Sequence, residues 1–123
     1  MARVLIVDDE ESIRDLIKEV LIGQGHQFEL AADGRQALRI LRRKAIDLAI
    51  VDRNMPGMTG IEVVKSIRQD PRTAAMKILM CTAGGASRES EEAFAAGADD
   101  YILKPLSLAL LRDKVAWALT HRA

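Results

Sequence analysis

Two apolar runs in this chain stop abruptly on carboxylates. In RVLIVDDEES the run from Val4 to Val7 ends at Asp8, Asp9, Glu10 and Glu11; in LAIVDRNMPGMTG the run from Leu48 to Val51 ends at Asp52. Unpaired carboxylates are costly to bury and repel one another, so two greasy strands aimed at acids call for a positive charge between them. Hard oxygen donors on a water-accessible edge suit a hard divalent cation, and Mg²⁺ is the natural choice because it takes one or two carboxylates together with waters and phosphate oxygens. The plainer alternative is that Asp9, Glu10 and Glu11 favour the N-terminus of the helix that follows, which leaves Asp52 unexplained. Two further runs end on polar groups, ILMCT on Thr82 and DYILK on Lys104. Singly, a Thr closing a strand and a Lys before a proline are ordinary features. Together at the ends of successive strands they complete a set of metal, ammonium and hydroxyl around one carboxylate. Such a set binds a phosphoryl group by electrostatic placement, and the central carboxylate can act as a nucleophile that forms an acyl phosphate.

The elements that must position these groups follow from periodicity. Residues 3–8 form a short, continuous aliphatic strand. Ile13, Leu16, Ile17, Val20 and Leu21 then fall on one helical stripe, ended by Gly23 and Gly25. Residues 27–32 are a weaker strand. A second helix starts at the N-cap Asp33, turns Ala37, Leu38 and Leu41 inward, and closes on Arg42, Arg43 and Lys44, cations that complement a helix C-terminus. Residues 47–52 are a third strand, RNMPGMTG a loop of turn formers, and 60–69 a third helix stopping before Pro71. A fourth strand ends at Thr82, a fourth helix follows the Gly-rich turn, a fifth strand is DYILK, and a fifth helix closes the chain. Strict alternation with non-alternating aliphatic strands predicts a parallel sheet covered by helices on both faces. In such sheets ligands sit beyond the carboxyl ends of the strands. Asp8, Asp9, Asp52, Thr82 and Lys104 are therefore expected to converge on one edge.

The totals bound the reading. The 123 residues fit one domain, residues 1–123, and half of them are hydrophobic. Eighteen cations balance eighteen acids, so the basic footprint of a nucleic-acid binder is absent. One cysteine excludes an internal disulfide and a Cys–Cys metal site. With no signal-peptide pattern and no apolar run near the ~20 residues of a membrane helix, a cytoplasmic protein without membrane contact is expected.

The chain resembles the receiver (CheY-like) domains of bacterial two-component response regulators over nearly its whole length. VLIVDDEE is similar to the acidic pair after the first strand, LAIVDRNMPGMTG to the phosphoacceptor strand and loop, ILMCTA to the switch threonine, and GADDYILKP to the aromatic, Lys and Pro. The resemblance implies a flavodoxin-like α/β fold, a five-stranded parallel sheet of order 2-1-3-4-5 flanked by five helices. It implies that Asp52 is phosphorylated, that Asp9 binds Mg²⁺ directly and Asp8 mainly through water, and that Asn54 gives the metal its backbone carbonyl. Thr82 and Lys104 would contact the phosphoryl oxygens, Tyr101 would move with Thr82, and Lys104–Pro105 would be a cis peptide. The donor would be a sensor histidine kinase or phosphotransfer protein. The recipient of the signal would be a downstream protein target or output domain, or a second copy in a homodimer. Such a domain catalyses its own phosphorylation and dephosphorylation and is not otherwise an enzyme.

Several positions depart from the family or stay open. Thr59 stands where Asp is common, with little effect expected. Arg53 follows the acceptor, where it could shield the site or pair with an acid. Gly84 leaves the entry to the phosphoryl group unobstructed. Cys81 is a buried strand thiol, with redox control the alternative. The fourth helix reads as anchored mainly by Phe94 and hence movable. In the fifth helix Leu108, Leu111, Val115 and Leu119 share a stripe facing the sheet, while Leu110 and Trp117 lie on the opposite side as a partner face. Two rivals on related chemistry fit less well. A haloacid-dehalogenase-type phosphatase needs an acid where Asn54 stands, and a nucleotide or flavin module needs glycines where VDDEES has acids.

Overall fold

The computed structural model describes residues 2–83 and 87–121. Strands and helices alternate without exception: β1 Arg3–Val7, α1 Glu11–Ile22, β2 Gln27–Ala31, α2 Gly34–Arg43, β3 Leu48–Asp52, α3 Gly60–Gln69, β4 Lys77–Thr82, α4 Ser87–Ala96, β5 Asp100–Leu103 and α5 Leu108–Thr120. All strand pairs are parallel, and the order is β2-β1-β3-β4-β5. The expected architecture is the observed one.

Successive strand side chains point to opposite faces, and here both faces are dry. Leu5, Val7, Ala49, Val51, Ile78 and Met80 pack under α2, α3 and α4. Val4, Ile6, Leu48, Ile50, Leu79 and Cys81 pack under α1 and α5. Each fully buried aliphatic side chain contributes about 1.5–3 kcal/mol, which is why the strands are continuous rather than alternating. Register then aligns their ends, with Val7 beside Val51, Asp52 beside Cys81 and Thr82 beside Leu103.

Local chemistry sets where the helices begin. The Asp33 carboxylate accepts the Gln36 N–H at 2.8 Å, and the Ser107 hydroxyl oxygen accepts the Leu110 N–H at 3.3 Å. Thr59 forms a reciprocal capping box with Glu62 at the start of α3, so it keeps the capping oxygen that an Asp would supply. Gly60 follows directly, and a β-carbon there would collide with the Asp52 carbonyl oxygen. Only glycine lets α3 start so close to the end of β3. The Lys104–Pro105 peptide is cis, as expected.

Two packing expectations need correction. α5 buries Leu111, Val115 and Ala118; Leu108 is exposed and Leu119 only partly covered. A helical side chain leans toward the N-terminus, so that of the first residue projects beyond the helix and away from the core. In α4 the anchors are Ala93 and Ala96, whereas Phe94 is 48% exposed. α4 lies against α3 and β5, and its contact with the core is made by methyl groups. Its far end is held differently. Arg68 of α3 donates to the carbonyls of Gly97, Ala74 and Met76 and pairs with Asp99 at 2.9 Å. Gly97 takes φ +118°, and a β-carbon there would strike the Arg68 side chain. No helix among the described residues is long and apolar enough to cross a membrane.

Candidate functional site

The carboxyl ends of β1, β3, β4 and β5 bring four of the expected residues to one edge. Asp8, just past β1, is 1% exposed, and Asp52, the last residue of β3, is 3% exposed. Lys104 lies between them, its Nζ 3.1 Å from Asp8 Oδ2 and 3.2 Å from Asp52 Oδ1. The positive charge that the two acid-capped strands require is therefore partly supplied by the protein itself. Asp8 also accepts the Glu10 N–H at 2.9 Å, and Asp52 accepts the Asn54 N–H at 3.3 Å.

One ammonium does not balance this edge. Burial and then the neighbouring Asp8 charge push the Asp52 carboxyl above its ordinary range, against the pull of Lys104 and the Asn54 N–H. Burial works against the Lys104 charge too, yet its bond to Asp8 and the charge of Asp52 raise its pKa overall. Carboxylate oxygens of Asp8, Asp9 and Glu10 lie within 4.8 Å of one another, with Asp9 and Glu10 exposed. Oxygen donors alone, beside a carboxylate left short of positive charge, fit a hard divalent cation such as Mg²⁺. Glu10 in this group is an addition to the expected set; its place in the acid run was the available signal. Asn54 is exposed, close enough to Asp52 for its backbone to bond to it.

Thr82 is buried at the end of β4, and its hydroxyl donates to Glu89 of α4 at 2.6 Å. Tyr101 of β5 is half-buried, edge-on to Phe94 with ring centres 5.8 Å apart and with Lys114 Nζ 5.7 Å from its ring centre. The open question of Arg53 resolves as pairing. Its guanidinium lies 2.8 Å from Glu92 and 3.7 Å from Glu89. Neither glutamate was singled out from the sequence, since nothing in an acid-rich helix says which acids turn toward the sheet edge. Burial pushes the Cys81 thiol up to about 12, the state of an inert strand residue. Gly84 lies outside the described residues.

Leu110 and Trp117 are exposed at 43% and 50%, on the outer side of α5 as expected. Leu110 borders an open groove of about 490 Å³ with Tyr101, Leu103 and Pro105. Trp117, two turns further on, stacks on His121 with ring centres 4.3 Å apart.

Comparison with known proteins agrees with this geometry. The family model described as "Response regulator receiver domain" matches residues 4–116. Chemotaxis protein CheY-3 of Vibrio cholerae serotype O1 is 38% identical over 114 residues, 92% of this chain and 88% of that protein. The phosphate regulon transcriptional regulatory protein PhoB of Rhizobium meliloti is 35% identical over 123 residues, all of this chain but 54% of that protein. The solved structure of chemotaxis response regulator CheY4 of Vibrio cholerae superimposes with a TM-score of 0.92 at 38% identity, covering 97% of this chain and 99% of that one. The chain belongs to the response regulator receiver domains, the signalling domains of two-component phosphorelays.

Proposed function

We propose that Asp52 is the phosphoacceptor of this receiver. The observation that carries the reading is Lys104 bridging the buried carboxylates of Asp8 and Asp52 at the ends of two strands. In the transfer, an Asp52 carboxylate oxygen attacks the phosphorus of a phosphohistidine on a sensor histidine kinase or phosphotransfer protein. The phosphorus–nitrogen bond breaks, its electron pair stays on the imidazole, and a solvent proton neutralises that ring. Asp8, Asp9, Asp52 and the Asn54 carbonyl would hold Mg²⁺, which when bound offsets negative charge on the phosphoryl oxygens. Lys104 and Thr82 then contact those oxygens directly. The domain turns over no external substrate and acts only on its own phosphorylation state, in the cytoplasm, as a single unit over residues 1–123.

The signal leaves through the surface of α4, β5 and α5. Tyr101 and Leu110 border the same groove, and with Trp117 they offer aromatic and aliphatic anchors to a protein target, an output domain or a second copy. Incubation with acetyl phosphate and Mg²⁺, followed by intact mass, tests the assignment. Asp52→Asn is expected to abolish labelling. Robust labelling of that variant elsewhere, or full-rate labelling of the wild type in excess chelator, overturns it.

A further inference from the structure

Arg53 places a large cation immediately after the acceptor, with its side chain only 17% exposed and its Nε buried without a hydrogen-bond partner. Its two terminal nitrogens face α4, one 2.8 Å from Glu92 and the other 3.7 Å from Glu89. Glu89 in turn accepts the Thr82 hydroxyl at 2.6 Å. The ends of β3 and β4 are thus tied through one glutamate to the N-terminal half of α4. A hydroxyl carries a single proton. Thr82 cannot donate it to Glu89 and to a phosphoryl oxygen on Asp52 together, and an O–H bond to a carboxylate at this length is of the stronger, charge-assisted kind.

We propose that Glu89, braced by Arg53, is a positioning residue that holds the Thr82 hydroxyl on α4 in the resting chain, so that phosphoryl uptake must break this latch. The inference rests on Asp52 being the phosphoacceptor and adds what opposes the switch. When Thr82 turns to the phosphoryl group, Glu89 loses one hydrogen bond but keeps Arg53. The N-terminal half of α4 then stays tied to β3 and is freed from β4.

The test uses the full chain with Glu89→Ala, Glu89→Gln and Arg53→Ala, and Asp52→Asn as blank. Acetyl phosphate with Mg²⁺ is the probe. In labelling, an Asp52 oxygen attacks phosphorus, the bond from phosphorus to the bridging oxygen breaks, and acetate leaves with the electron pair. Glu89→Ala removes the acceptor and is expected to raise the initial labelling rate about fivefold, a modest share of what a hydrogen bond to a charged group can be worth. Glu89→Gln removes the charge but keeps an acceptor oxygen, and is expected to stay within about twofold of wild type on the same scale. Arg53→Ala removes the brace together with the Glu92 ion pair but leaves the Glu89 acceptor, and is expected to fall between them. Three-bond couplings of Thr82 in the resting protein read the latch without any phosphodonor, and its side-chain rotamers should broaden in Glu89→Ala but not in Glu89→Gln. Equal acceleration by Ala and Gln would assign the effect to charge repulsion and overturn the latch, as would unchanged Thr82 couplings in Glu89→Ala. A wild type that takes no phosphoryl group defeats the phosphoacceptor reading and the latch with it. A wild type that labels at the same rate as every Glu89 and Arg53 variant defeats the latch alone.

Discussion

Asp52 is under electrostatic load before any phosphoryl group arrives. Its folded carboxyl binds a proton more tightly than an ordinary Asp of pKa 3.8, because it is buried and because Asp8 is beside it. Between that value and the raised folded one, the native state holds more protons than the unfolded state. Stability contributed by this group is therefore complete below pH 3.8 and is lost as the pH rises through the folded pKa. Asp52→Asn is expected to raise the urea midpoint at neutral pH in excess chelator, and the advantage should vanish below pH 3.8. A lower midpoint for the variant at neutral pH would mean that its bond to Lys104 outweighs burial. At this scale the sequence was most legible where a strand stopped on a reactive group. Asp8, Asp52, Thr82 and Lys104 were visible because apolar runs ended on them. Glu89 and Glu92 were not, because their meeting with Arg53 spans more than thirty residues and depends on how α4 is turned.

Among the elements, α3 shows how a departure from the family pattern can be silent. Thr59 caps it through a reciprocal box with Glu62. Thr59→Ala is expected to cost about 1 kcal/mol in chemical denaturation. Thr59→Asp keeps a capping oxygen and adds a charge that the helix N-terminus favours, so it should fall within about 0.5 kcal/mol of wild type. A large loss with Asp would show that the threonine methyl, not the cap, is what matters there. Helix identity was legible throughout, because apolar spacing is local; of the caps, Asp33 was legible, while Thr59 and Ser107 were not read ahead. Orientation was less so. Large side chains dominate a periodicity argument, yet α4 meets the core through Ala93 and Ala96, and α5 through Ala118 as well as Leu111 and Val115. Where a helix lies close to its neighbours, small residues face inward and a Phe can be left outside, as Phe94 is against Tyr101.

For the whole molecule, alternation of strand and helix led to the layered parallel sheet, while the strand order came with the family resemblance, since no strand names its neighbours. The surface was harder. Leu110 and Trp117 are outward as expected, but one borders the groove beside Tyr101 and the other stacks on His121. Trp117→Ala is expected to leave Asp52 labelling unchanged while weakening self-association or target binding on the order of tenfold, measured by sedimentation or calorimetry. Unchanged association with phosphorylation intact would remove Trp117 from the contact surface. The Arg68 cluster bears on the same surface from the other side. It holds the Gly97 carbonyl, and with it the end of α4, by hydrogen bonds that do not involve the acid edge. If phosphorylation of Asp52 opens the Glu89 latch, a helix held by Arg68 at Gly97 gains its freedom at the Glu89 end and not at the Gly97 end. On that reading a partner gripping the Gly97 end would meet the same surface whatever the state of Asp52, whereas one gripping the Glu89 end would meet two different surfaces. A single helix can in this way carry a constitutive address at one end and a conditional one at the other.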